Sequence, residues 1–247
     1  MGKKNIILSI VLGVVGLAVL VFLIILFTTI IPDAIKKEEQ ILAVKAYYEN
    51  KIKLYEEENL KYDDYEVDVV FIGDSLTDGY DLNHYYGDTN LIISNRGIGG
   101  ETTTGLLSRM EVSVYDLKPK VVVMLIGANN MDKMFNDYEE LLKGLKENLP
   151  TTKVVILSLT AMGDEWGRKN QLAAYNNVKI EILADKYGFD FVDLFTPLLD
   201  VSTGEVYEGY TVDGGHFTPL GYEIVTSIVK PYVIKNYNSY CDTDGRN

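Results

Sequence analysis

Val69-Val70-Phe71-Ile72-Gly73-Asp74-Ser75-Leu76-Thr77 is an apolar run that stops at Gly-Asp-Ser. This pattern predicts a strand that delivers a serine to a tight turn. A serine hydroxyl is a poor nucleophile unless a base takes its proton during attack. The chain has two histidines. One of them, His216, lies in Asp213-Gly214-Gly215-His216 and brings its own carboxylate three residues upstream. An Asp and a His so spaced, on a loop before a helix, can project the same way. Asp213 would hold the imidazole in the useful tautomer and stabilise its cation. The other, His84, has only Asp81 as an orienting partner nearby and reads as a surface or loop histidine.

A serine nucleophile also needs donors aimed at the oxyanion that develops during attack. Gly99-Gly100 permits close backbone approach with an N–H. Asn129, just after an apolar run, offers a side-chain amide, and the Ser75 N–H is a third donor. Each piece has a plainer reading. Gly-Asp-Ser can be only a turn and a helix cap, and Asn129-Asn130 can serve loop backbone. Asn95-Arg96-Gly97-Ile98-Gly99-Gly100 can be a glycine turn or a phosphate cradle. The spacing of a dinucleotide cradle fails, because Thr102 stands where a third glycine belongs, and no P-loop lysine follows. Asp213 and His216 could be a cap or two metal ligands, but the sequence offers no third ligand nearby, so neither a metal nor a cofactor is expected.

The elements that must position these residues follow from the apolar pattern. Candidate strands are Val67–Gly73, Leu91–Ser94, Val121–Gly127, Val154–Leu159 and Phe189–Leu194. They are continuous apolar runs, as expected of a sheet covered on both faces. Candidate helices are Thr102–Tyr115, Tyr138–Asn148, Arg168–Tyr187 and Pro219–Asn236, the last capped by Thr218 with Pro219 in its first position. Strands alternating with helices imply an α/β domain with a parallel sheet and right-handed crossovers. Sites in such sheets form beyond the carboxyl ends of the strands. Ser75, Asn95–Gly100, Gly127–Asn130 and Thr160–Gly163 all follow predicted strands and should cluster on one edge.

Gly-Asp-Ser-Leu, a glycine turn after the second strand, Gly-x-Asn after the third and Asp-x-x-His before the last helix together resemble the SGNH (GDSL) hydrolase family. The resemblance covers about residues 67–232. It implies a three-layer α/β/α flavodoxin-like fold with a five-stranded parallel sheet. It implies Ser75 as nucleophile, Asp213 and His216 as its partners, and an oxyanion hole of Ser75, Gly100 and Asn129. The family's third motif ends in Asp where this chain has Asn130, so amide hydrogen bonds should replace those of a carboxylate. An α/β-hydrolase is disfavoured, because no Gly-x-Ser-x-Gly elbow is present.

Residues 6–31 carry no charge. As a helix they would span roughly 39 Å, enough to cross a hydrocarbon core of about 30 Å. Lys3 and Lys4 precede them, which puts residues 1–5 in the cytoplasm and the remainder outside a cell membrane crossed once. A cleaved secretory signal fits less well, because its apolar region would be about 7–15 residues and end at small residues, whereas Thr28-Thr29-Ile30-Ile31-Pro32 closes this one. In residues 32–64, Ile41, Tyr48, Tyr55 and Tyr62 recur every seven residues among Lys and Glu. This predicts a helix, either a stalk or packed on the domain; Lys51 and Glu58 at the second seam position argue against a coiled coil. Residues 65–236 would be the hydrolase domain and 237–247 a polar tail. Net charge is −13, which disfavours nucleic acid and anionic lipid surfaces as partners. Cys241 is the only cysteine, so no internal disulfide forms.

The expected activity is hydrolysis of acyl esters, foremost short-chain or acetyl, on cell-envelope carbohydrate or lipid. Asp74, Asn130, Trp166 and Tyr210 are candidate substrate-pocket residues. Lysophospholipase or thioesterase activity, acyl transfer to a hydroxyl other than water, and a catalytically silent anchored scaffold are the other readings. The sequence does not indicate an oligomeric state.

Overall fold

The structure, a computed structural model, describes residues 2–164 and 170–244. Two units are distinguished, Met1–Asn50 and Lys51–Asn247. In the first, α1 (Lys3–Ile25) leads through five residues of wider π-type turn, Leu26–Ile30, into α2 (Ile31–Asn59). α1 is long and apolar enough to cross a membrane, a property that signal sequences share. Ser9 in α1 donates its hydroxyl to the Asn5 carbonyl, and Thr28 in the wide turn donates to that of Ile24, which satisfies these polar groups within an apolar stretch. The wide turn ends two residues before Pro32, whose ring cannot donate to, and crowds, the carbonyl four residues back.

In the second unit the elements follow as β1 (Val69–Gly73), α3 (Ser75–Asp78), α4 (Leu82–Tyr86), β2 (Ile93–Gly97), α5 (Thr103–Ser108), β3 (Val121–Leu125), α6 (Tyr138–Asn148), β4 (Lys153–Leu157), α7 (Asn170–Tyr187), β5 (Asp190–Val192), α8 (Phe195–Leu198), a short antiparallel pair β6 (Leu199–Asp200) and β7 (Glu205–Val206), and α9 (Pro219–Asp244). β1 to β5 form one parallel sheet in the order β2-β1-β3-β4-β5. This is the flavodoxin-like doubly wound order, with its crevice between β1 and β3.

Successive residues of each strand serve opposite cores. Val70, Ile72, Val122, Met124, Val154 and Ile156 pack with Leu106 of α5, Leu141, Leu142 and Leu145 of α6, and Ile180 of α7. Val69, Phe71, Val121, Val123, Val155 and Leu157 pack with Leu76, Tyr86, Tyr222, Val225 and Val229 on α3, α4 and α9. Burial on both sides explains the unbroken apolar runs, and each such side chain contributes about 1.5–3 kcal/mol. α6 shows the spacing that directs a helix onto a sheet, with Tyr138, Leu141, Leu142 and Leu145 buried.

Several boundaries differ from the sequence pattern. β2 is shifted toward its C-terminus and includes buried Arg96. The guanidinium lies 4.6 Å from the Tyr55 ring centroid and 3.3 Å from the Glu58 carboxylate, both on α2. Aromatic cover and an opposite charge make this burial possible. The helix expected over Thr102–Tyr115 is α5 followed by a π-type turn at Glu111–Tyr115. α9 does not stop at Asn236: it runs to Asp244 and buries Tyr240, so most of the expected polar tail is helix.

The segment expected as a stalk or linker also divides. From Lys51 onward it belongs to the second unit. Tyr55 is 1% exposed, and its hydroxyl donates to the Gly97 carbonyl at 2.6 Å. Lys51 pairs with Asp78 at 2.5 Å, and the Asn59 amide donates to the Val112 carbonyl at 2.8 Å. The end of α2 is therefore joined both to α3, which begins with Ser75, and to the end of β2.

Candidate active site

Ser75 stands at the carboxyl end of β1 as the first residue of α3. Asp74 caps that turn, with Oδ1 accepting from the Leu76 N–H at 3.1 Å. The chain can make this turn beside β2 because residue 97 is glycine. A Cβ at Gly97 would collide with the backbone of Thr77 and Asp78.

His216 reaches Ser75 from a loop 141 residues further along. Its Nε2 lies 3.0 Å from Ser75 Oγ, and its Nδ1 lies 2.8 Å from Asp213 Oδ2. The other oxygen, Asp213 Oδ1, accepts from the N–H groups of Gly215 at 3.1 Å and His216 at 2.8 Å. With Nδ1 donating to the carboxylate, Nε2 is left as the acceptor facing the serine hydroxyl. Desolvation pushes the Asp213 carboxyl up, but the His216 ring and the two backbone donors outweigh it and hold the group down at about 2. The loop is closed by the Thr211–Phe217 bridge and by bonds from the Val212 N–H to His216 O and from the Thr218 N–H to Tyr210 O. Thr218 caps α9 through the Gly221 N–H.

Asn129 follows β3 across the crevice and lines the same cleft as Ser75 and His216. Its amide donates to the Glu101 carbonyl at 2.8 Å. Glu101 is in turn buried against Arg109, which also donates to the Arg96, Gly73 and Ser113 oxygens. Arg109 thus ties together the ends of β1 and β2 and the loop that carries Gly100. Nothing in Leu106–Val114, which also carries Ser108, Glu111 and Ser113, marks Arg109 for this role in the sequence. Gly100 is exposed, with φ +77° and open space where a Cβ would stand, a conformation that favours glycine.

The pocket candidates separate. Asp74 lines the cleft at Ser75. Asn130 does not: its amide oxygen accepts from the Thr103 N–H and its nitrogen donates to Thr103 Oγ1 at 2.8 Å, fixing the start of α5. Tyr210 is half-buried, packed on the core and against Tyr207 at 5.6 Å. Trp166 lies outside the described residues. His84 is exposed on α4, with its ring against Tyr85. Leu76, Ala128 and Met162 also line the cleft; they lie in segments that the sequence pattern placed at this edge, although none was named individually as a pocket residue. The cleft is small, about 10 Å³. A larger cavity of about 350 Å³ lies beside it, behind Asp213 and Gly214, lined by Asp200, Glu205, Tyr207 and Glu208 among others.

A strand-end serine bonded to an aspartate-oriented histidine, on a doubly wound α/β sheet, is the arrangement of a serine hydrolase. The model of the GDSL-like lipase/acylhydrolase family matches residues 71–224, and the chain belongs to that family. It is an ester-hydrolysing serine hydrolase. Among solved structures it is similar to a Streptococcus pneumonia protein proposed as a platelet activating factor, at 26% identity and TM-score 0.73, over 81% of this chain and 99% of that one. A GDSL-like lipase from Bacteroides thetaiotaomicron is 26% identical at TM-score 0.66, over 74% of this chain and 97% of that one. An acetyl xylan esterase, AlAXEase, shares the fold at 22% identity and TM-score 0.59, over 68% of this chain and 100% of that one. No curated protein matches the chain.

Proposed function

We propose that the protein is a membrane-anchored, outward-facing esterase that removes short acyl groups, acetyl foremost, from cell-envelope esters. The observation that carries this reading is the hydrogen-bonded chain Asp213–His216–Ser75, at 2.8 and 3.0 Å. Ser75 Oγ attacks the ester carbonyl while His216 Nε2 takes its proton. The oxyanion is met by the Ser75 and Gly100 N–H groups and the Asn129 amide. Collapse breaks the C–O bond, and His216 returns the proton to the departing alcohol. Water, deprotonated by His216, then cleaves the acyl-serine and releases the acid. Asp213 stays ionised throughout and holds the imidazole.

The small cleft at Ser75 supports a short acyl group. α1, whose apolar stretch is preceded by its first residues Lys3 and Lys4, supports anchoring with the N-terminus in the cytoplasm. The acetyl xylan esterase neighbour is compatible with a carbohydrate alcohol. The test is release of p-nitrophenol from the acetate ester by the full chain in detergent, beside Ser75→Ala. Turnover that vanishes in the variant supports the reading, and equal turnover in both sinks it.

A further inference from the structure

The cleft beside Ser75 holds about 10 Å³, room for about one water-sized group. Its walls are unequal. Leu76 is packed into the core under β1, and Ala128 has only a methyl to offer. Among the described residues that line the cleft, Met162 has the longest flexible side chain, and it is almost fully buried. Its backbone is held on both sides by one residue: Asn170 Oδ1 accepts from the Met162 N–H at 3.0 Å, and Asn170 Nδ2 donates to the Met162 carbonyl at 2.7 Å. The same amide reaches the Gly204 carbonyl at 2.9 Å. The next residue, Gly163, donates to the Gly214 carbonyl at 2.7 Å, inside the loop that carries Asp213 and His216. The wall is therefore pinned to the hairpin on one side and to the histidine loop on the other. Shortening the side chain should widen the cleft rather than let the loop close over it.

We propose that Met162 sets the upper limit on acyl length, by standing where the second and later carbons of a longer acyl chain would go. This rests on the esterase reading above. An acetyl group, its carbonyl held over Ser75, asks this space to take only its methyl. A butyryl group must displace the thioether or lose contact with the oxyanion donors. One methylene that does not fit a pocket is discriminated by roughly 10–200-fold.

The test is kcat/KM for p-nitrophenyl acetate, butyrate and hexanoate, using the full chain in detergent. The wild-type protein should favour acetate over butyrate by at least about tenfold, and Met162→Ala should raise the butyrate-to-acetate ratio by at least about tenfold. Met162→Leu, nearly equal in volume, should keep the wild-type ratio. Met162→Val, a milder truncation in case the alanine variant fails to fold, should give an intermediate ratio. An unchanged ratio in a folded truncation variant overturns the assignment, as does a wild-type preference for long chains. Both results leave Ser75-dependent hydrolysis intact. Absence of any Ser75-dependent hydrolysis would overturn the esterase reading as well, so the two failures are distinguishable.

Discussion

Tyr55 lies ten residues before the expected start of the hydrolase domain, yet it is built into the catalytic unit. Its hydroxyl donates to the Gly97 carbonyl, and its ring covers the Arg96 guanidinium, which has no exposure of its own. Tyr55→Phe keeps the ring and removes one buried donor, at a cost of about 1–3 kcal/mol if the Gly97 carbonyl stays dry. Tyr55→Ala removes the ring too. Truncating a buried aromatic costs about 3–5 kcal/mol, and Arg96 then loses its aromatic cover and keeps Glu58 and the Ser94 hydroxyl. At about 2–4 °C per kcal/mol for a domain of this size, the phenylalanine variant should melt about 2–12 °C lower and the alanine variant about 6–20 °C lower. The assay is thermal unfolding followed by near-ultraviolet circular dichroism, which reads the packed tyrosines rather than the apolar helix. A chain beginning at Lys51 should keep the parent's midpoint, and one beginning at Tyr65 should lose it. A Tyr55→Ala protein that melts with the parent would refute the reasoning.

Two other outcomes are expected. Asn129→Ala should lower kcat by about 10²–10³-fold with a much smaller change in KM; a variant that changes KM alone would show that the amide binds ground-state substrate only. Asp213 has a carboxyl held down at about 2, so its stabilising contribution is fully present above its unfolded pKa, near 3.9, and is lost as pH falls through about 2. The stability difference between the parent and Asp213→Asn should therefore shrink as pH falls below about 4. A difference that disappears already at pH 6 would contradict the Asp213–His216 bonding.

Local pattern carried much of the fold and the site. Val69–Gly73 and Val121–Leu125 are buried on both faces, so their runs were unmistakable, and the turn after each was equally clear. The Asp213–His216 pair was legible because it is a three-residue spacing on one loop. What escaped was set by contacts distant in sequence. Arg96 can be buried within β2 because Tyr55 and Glu58 cover it, and nothing near residue 96 signals that cover. The recurrence of Ile41, Tyr48, Tyr55 and Tyr62 indicated a helix with a stripe but not what Tyr55 would meet. β6 and β7 have two residues each, too few for any periodicity. The end of α9 buries Tyr240 against Tyr65, ring centroids 6.3 Å apart, within a polar stretch of sequence. Thr160–Gly163 was expected at the edge that holds Ser75, but nothing in the sequence marked Met162 within it as a wall of the cleft.

The most direct test of the central claim is covalent labelling of the full chain with a fluorophosphonate, with the adduct located by mass spectrometry. The account predicts a single adduct on Ser75, formed at a rate that falls by about 10³-fold or more in His216→Ala. An adduct on another residue, or labelling of Ser75 at the same rate without His216, would contradict it.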